Sequence, residues 1–305
     1  MLVAALTCLP LGAAASAHAP AATKATRVTA DRPGTSGLRV HLVYLVAKGH
    51  KDRHYDTDGT LERAAAQLQS WFRRETGGRE IKLDTYLRGG KRVPDISFVR
   101  SSRTSFVCEQ NTDGSLESVL DQHCLTEIAT DRAAGKKTKP GDFVQADLAA
   151  AGLKDPQVRY LVVVDGTAGI ICGYSLGPDD TDRDPSHVGH VSSVFLGDSA
   201  CPDDDPGSGG QVTWEMAHEY VHGDGAVPYG APHYCIGASG HVCTGVLGNG
   251  SPITDKFDPE RADILYPSPG IDLTDAHLDP GHDDYYATTV GLRDVEDSPY
   301  LTPKH

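Results

Sequence analysis

Beyond its first fifteen residues, the sequence has no apolar run of about 18 residues, the length that a membrane-spanning helix needs. It also has no C-x-x-C pair, which argues against a zinc site built from cysteines. Basic residues are few: 28 Lys and Arg stand against 42 Asp and Glu, giving a net charge of −14. Because an acidic protein repels phosphate backbones and anionic lipids, we expect neither nucleic acid nor a membrane as partner.

The N-terminus has the features of an export signal. Residues 1–15 are uncharged and mostly apolar, and Ala-His-Ala at 17–19 has the small-x-small pattern of a signal-peptidase site. Residues 1–19 therefore predict the signal peptide of a secreted protein. Residues 20–36 are rich in Ala, Thr, Pro and Gly without apolar periodicity, and they predict a disordered leader.

The cysteine count agrees with export. Six of the seven cysteines lie beyond the predicted signal, and an even number in a secreted chain indicates disulfide bonds. Six cysteines allow several pairings, and the sequence does not choose among them. The nearest-neighbour pairing is Cys108–Cys124, Cys172–Cys201 and Cys235–Cys243.

The pattern of elements predicts an α/β (α+β) fold. Residues 37–305 are long enough for a single catalytic domain, with lobes at about 37–223 and 224–305. We expect a mixed twisted sheet covered by helices on one side and an irregular C-terminal lobe. The strand at 188–196 is either an edge strand that pairs with an extended peptide or an interior strand. The other strands are expected at 38–46, 80–86, 95–99 and 158–164, and the helices at 60–76, 140–151 and 211–222.

The last predicted helix contains the candidate metal ligands and the candidate catalytic base. It contains H-E-x-x-H, formed by His218, Glu219 and His222. Positions i and i+4 share one face of a helix, so both imidazoles can point at the same metal ion, and Zn²⁺ suits such ligands. Glu219 points in a different direction, where it can act as the catalytic base that accepts the proton of an attacking water.

A third metal ligand should come from a following loop. Gly225, three residues after His222, allows the helix to end and the chain to reverse. His233 is the preferred third ligand, and His241 is the second choice. A different scheme takes Glu260 from a later helix.

These residues resemble a family of secreted actinobacterial zinc-metallopeptidase-like proteins that are distantly similar to metzincins. The resemblance implies a metzincin-like fold, a bound zinc ion and peptide hydrolysis. Metzincins continue the motif with a His or Asp three residues after the Gly, where this chain has Pro228, so it departs from their pattern. The matching segments are 218–227, 231–233, 263–266 and 281–286, with weaker matches at 40–46 and 71–78.

The segment 263–267 resembles the turn that metzincins place beneath the metal, with Leu265 where those proteins have Met. Tyr266 is then the second predicted catalytic residue, as a hydrogen-bond donor to the oxyanion of the tetrahedral intermediate. A buried structural tyrosine is the alternative. The acidic runs 179–184, 203–205 and 279–286 add the hypothesis of a structural Ca²⁺ ion, with ordinary solvated loops as the alternative.

The sequence therefore predicts a secreted zinc endopeptidase that acts on a peptide or protein substrate, with its oligomeric state left open. One alternative is a zinc amidase that acts on cell-wall peptides by the same chemistry. The other is a non-catalytic secreted binding protein with a degenerate metal site. Glu219 argues against the second alternative, because a structural metal site has no use for a base beside its ligands.

Overall fold

A computed structural model describes residues 26–32, 34, 36–104, 106, 140–168, 172–175, 177, 190–197, 201, 203–225, 227–235, 240–243, 262–266, 271–288 and 294–304. The predicted signal peptide, the pair Cys108–Cys124, Glu260 and the acidic run 179–184 lie outside these residues. None of the described helices has the length and apolar character needed to cross a bilayer.

The described elements form an α/β arrangement of five strands in one sheet, a separate hairpin and three helices. The strands of the main sheet are β1 (Arg39–Val46), β4 (Ile96–Arg100), β5 (Val158–Asp165), β6 (Gly173–Ser175) and β7 (Val191–Phe195), and the hairpin pairs β2 (Thr85–Arg88) with β3 (Lys91–Pro94). The helices are α1 (Thr60–Glu75), α2 (Pro140–Ala150) and α3 (Gln211–Gly223), followed by a 3-10 turn at Val295–Asp297.

The main sheet has the strand order β4-β1-β5-β7-β6, and only β6 runs antiparallel to its neighbour. Every residue of β1 and β5 is buried, as expected for central strands of a parallel sheet covered on both faces. β7 lies between β5 and β6, so the interior alternative for this strand is confirmed and the edge alternative is wrong. Among the described strands, β6 forms that edge.

Helices cover both faces of the sheet, which corrects the expectation of one covered face. Successive side chains of a strand point to opposite sides. Tyr44 of β1 belongs to the core cluster that contains Phe72 of α1 and Tyr220 of α3. Its neighbour Leu45 belongs to a second cluster with Leu148 of α2. α1 and α3 therefore share one face, and α2 covers the other.

The segment 26–32 is bound to the domain, contrary to the prediction of a disordered leader over this part. The Arg27 guanidinium pairs with Asp52 at 2.5 Å and with Asp56 at 2.6 Å. Arg32 pairs with Asp95 at 2.7 Å, and the Asp95 side chain is fully buried. A buried carboxylate needs a cation or hydrogen-bond donors, and this demand fixes a segment whose composition alone suggests disorder.

The C-terminal residues share one core with the N-terminal elements. Ile264 and Leu273 lie in the same buried cluster as the residues of α1 and β1. The indole Nε1 of Trp71 in α1 donates to the carbonyl of Ala276 at 2.8 Å, and Ile81 forms an antiparallel bridge with Leu301. The part of the chain after α3 has little regular structure where it is described, as expected, but it packs directly on α1.

Trp71 connects α1 to the C-terminal residues, so its removal should weaken the whole domain. We expect Trp71→Ala to lower the free energy of unfolding by about 3–5 kcal/mol, because it leaves a cavity where a side chain 2% exposed was packed. Trp71→Phe keeps a ring and should cost less. Urea denaturation followed by circular dichroism measures both values, and an Ala variant as stable as the wild type would contradict this account of the core.

Candidate metal centre

Helix α3 carries the predicted metal ligands and is buried along nearly its whole length. At its N-terminus, the backbone N–H of Val212 donates to Asp204 Oδ1 at 3.0 Å, which satisfies one of the free donors of the first turn. At its C-terminus, Gly223 has no room for a side chain, since a Cβ atom there would lie 1.9 Å from Arg159 Nη2. Gly225 has φ 94°, and this left-handed residue reverses the chain as the sequence predicts.

Three histidine rings converge at the end of this helix. His222 Nε2 lies 3.0 Å from His218 Nε2 and 3.2 Å from His241 Nε2. A tetrahedral zinc ion with Zn–N bonds of about 2.0–2.1 Å separates its nitrogen ligands by about 3.3 Å. The spacing of these nitrogens therefore suits a shared zinc ion.

The protonation of His218 is fixed by its surroundings. Its Nδ1 lies 2.6 Å from the carbonyl oxygen of Ile264, an acceptor, so Nδ1 carries the proton and Nε2 presents a lone pair to the centre. Burial lowers the pKa of His218 to about 3, with a further contribution from His241. Burial also lowers the pKa of His222 well below its usual value. The lowered pKa values favour the neutral imidazole, which is the form that binds a metal ion.

His241 reaches the centre on a short disulfide loop. Cys235 and Cys243 are bonded, which confirms one nearest-neighbour pair. Gly240, at φ 80°, lies so close to the centre that a Cβ atom there would be 3.2 Å from the His222 ring. The disulfide and the glycine together hold His241 beside the helix.

His233 is not brought to the centre, so the preferred third ligand of the sequence analysis is corrected. Its Nδ1 lies 2.9 Å from Asp284 Oδ2, and its backbone N–H donates to Asp284 Oδ1 at 2.8 Å. The His233 side chain is 43% exposed, whereas the side chain of Asp284 is 4% exposed. The buried carboxylate of Asp284 therefore binds this histidine, and the second choice, His241, joins His218 and His222.

Glu219 follows His218 on α3 and is 5% exposed, the same fraction as His218. Burial raises its pKa well above the usual value, and the neighbouring Glu215 carboxyl raises it further. Both carboxyl groups face the edge strand: a Cβ atom on Gly173 would lie 2.3 Å from Glu219 Oε1 and 2.6 Å from Glu215 Oε1. Glu215 was not among the predicted site residues, although its position four residues before Glu219 places it on the same face of α3.

The turn at 263–266 lies against the centre. Its Ile264 carbonyl accepts the His218 ring proton, and Asp263 Oδ1 accepts hydrogen bonds from the Leu265 N–H and the Tyr285 hydroxyl, both at 2.7 Å. Tyr266 is 6% exposed at the end of this turn. The turn is thus well placed to orient His218, while the catalytic role of Tyr266 stays a prediction.

Two of the acidic runs have structural uses. Asp279 Oδ2 accepts the backbone N–H groups of Asp284, Tyr285 and Tyr286 at 2.8–3.1 Å, so it closes its own loop. In the run 203–205, Asp204 caps α3, while Asp203 pairs with Arg53 and Asp205 with Arg63. These contacts give the carboxylates of Asp279 and of residues 203–205 partners without a bound ion. A structural calcium ion stays a hypothesis.

The choice of third ligand leads to a direct test by metal binding. His241→Ala should weaken zinc binding at least tenfold, because it removes one of three converging nitrogens. His233→Ala is the matched control and should change affinity much less. Competition with a chromophoric chelator measures both affinities. Stronger loss in the His233 variant would contradict the geometry of the centre.

The disulfide loop should contribute to the same affinity. The double variant Cys235→Ser, Cys243→Ser should bind zinc more weakly than the wild type, since His241 loses the constraint that holds it near His222. The second bond, Cys172–Cys201, gives a matched control, because it ties residues next to β6 and carries no metal ligand. Equal affinities in all three proteins would show that the loop holds His241 without its disulfide.

No known protein family and no curated protein matches this chain. A crystal structure of wild-type OgpA from Akkermansia muciniphila is similar over 65% of this chain, with 15% sequence identity and a TM-score of 0.27. The match covers 50% of that structure's own chain. A likeness at this level carries no argument about function.

Proposed function

We propose that the protein is a zinc-dependent hydrolase that cleaves peptide bonds. The observation that carries the proposal is the convergence of three imidazole nitrogens on one point, with His222 Nε2 at 3.0 and 3.2 Å from the other two. Three histidine ligands are typical of catalytic zinc sites, because structural sites bind the ion with four protein ligands. His218, His222 and His241 would hold the ion.

When bound, the zinc ion would supply a Lewis acid that polarises a carbonyl group and makes water more acidic. Glu219 would act as general base, since it follows a metal ligand on α3 and its side chain is nearly buried. It would accept a proton from the attacking water and deliver it to the leaving amine.

The edge strand favours a peptide as substrate. β6 pairs with β7 on one side, and Gly173 at its start lies directly against Glu219. An exposed strand edge can bind an extended peptide through backbone hydrogen bonds. A peptide bound along β6 would pass beside the proposed base.

Two features bear on the alternatives. Glu219 favours an enzyme over a binding protein with a degenerate metal site. A zinc amidase acting on cell-wall peptides would use the same residues, so substrate profiling separates it from an endopeptidase. The disulfides Cys172–Cys201 and Cys235–Cys243 are compatible with the proposed secretion, because such bonds persist in oxidising compartments.

The proposal is tested by separating metal binding from hydrolysis. Glu219→Ala should keep about one zinc ion per chain, because the three histidines remain, while hydrolysis of casein or a fluorogenic peptide library falls by about 10²-fold or more. Elemental analysis and rate measurements on the same samples give both values. Glu80→Ala, which removes a surface carboxyl paired with Arg73, is the control. A Glu219 variant with full activity would overturn the assignment of the base.

A further inference from the structure

Glu215 is a second buried carboxyl on the metal-binding face of α3. With 3.6 residues per turn, positions 215, 218, 219 and 222 fall within about 100° of one another around the helix axis. Glu215 is 5% exposed, the same fraction as His218 and Glu219, whereas Met216 on the other face is completely buried. Its carboxyl lies on the same side of α3 as the proposed base, and both carboxyls approach Gly173 of β6.

The Glu215 carboxyl has no partner that compensates its burial. Within the residues that the structure describes, it forms no hydrogen bond and no ion pair, and burial raises its pKa to about 8. The nearby cation Arg159 binds other groups. Its Nη1 donates a hydrogen bond to Asp224 Oδ1 at 2.6 Å, and its Nη2 donates one to the Ser192 hydroxyl. The positive charge of Arg159 lowers the pKa of Glu219, against the larger effect of burial.

A buried carboxyl without a hydrogen-bond partner is costly, and such groups are commonly found at functional sites. The Gly173 backbone approaches both glutamates, so a peptide lying along β6 would pass within reach of Glu215 as well as Glu219. A cation brought by that peptide would satisfy the carboxyl and favour its ionised form.

We propose that Glu215 binds a positively charged nitrogen of the substrate next to the bond that is cleaved. The shared chemistry is an ammonium or guanidinium group, from either a free N-terminus or a basic side chain. This inference rests on the proposed peptide hydrolysis. It assigns Glu215 a role in substrate choice, distinct from the proton transfer assigned to Glu219.

The test uses zinc-loaded full-length protein and three kinds of peptide built on penta-alanine amide. The first is N-acetylated and uncharged, the second has a free N-terminal amine, and the third is N-acetylated with lysine at each position in turn. The proteins are wild type, Glu215→Gln, Glu215→Asp and the surface control Glu80→Gln. Calorimetry measures binding, and mass spectrometry measures cleavage.

We expect the wild type to prefer one cationic series over the neutral peptide, and the preferred series identifies the source of the charge. Glu215→Gln should reduce that preference at least tenfold, because it removes a charge-assisted contact while preserving size. Glu215→Asp should restore part of it, and Glu80→Gln should leave it in place. Thermal unfolding monitored by circular dichroism checks that each variant is folded.

Two results would overturn the inference. In one, the wild type binds neutral and cationic peptides alike. In the other, Glu215→Gln weakens all peptides equally, which would make Glu215 a positioning residue for Glu219. If no peptide is cleaved and the Glu215-dependent preference in binding remains, the proposed hydrolysis fails and this binding site stands.

Discussion

Three imidazole nitrogens that face one another at the C-terminal end of α3 are the constraint on which the rest of the site depends. His218 presents Nε2 because the Ile264 carbonyl occupies its Nδ1 proton. Two ring nitrogens 3.0 Å apart need either a proton or a metal ion between them. The surrounding elements hold the rings in this arrangement: the turn at 263–266 fixes His218, and the disulfide loop fixes His241.

A buried ion pair between β5 and the residue after α3 holds the C-terminal end of this helix. Arg159 of β5 donates to Asp224 just after α3 and also to the Tyr220 carbonyl, and its guanidinium lies 4.1 Å from the centre of the Tyr220 ring. Ser298 adds a hydrogen bond to Asp224 at 2.9 Å. A buried pair of this kind contributes little net stability, but it is strongly disfavoured when one partner moves. It therefore sets the position of the helix end that carries His222.

Much of this fold could be predicted from the sequence, because its central elements have strong local patterns. The apolar runs of β1 and β5, the helices α1 and α3 and the pairs Cys172–Cys201 and Cys235–Cys243 are confirmed. The error was to place all helices on one face. The apolar run of residues 160–164 indicates cover on both faces, since a strand that is apolar on both sides must be covered on both sides.

The third ligand shows why the site was harder to predict than the fold. His218 and His222 follow from helix periodicity, a local property, whereas His241 depends on where a disulfide closes a loop. His233 lies two residues before Cys235, and His241 lies two residues before Cys243, so spacing from the nearest cysteine does not distinguish them. Contacts that are distant in sequence distinguish them. The buried carboxylate of Asp284 binds His233, whereas Gly240 packs closely against His222 and lets His241 face the helix. Loop ligands are therefore determined by the partners that compete for them.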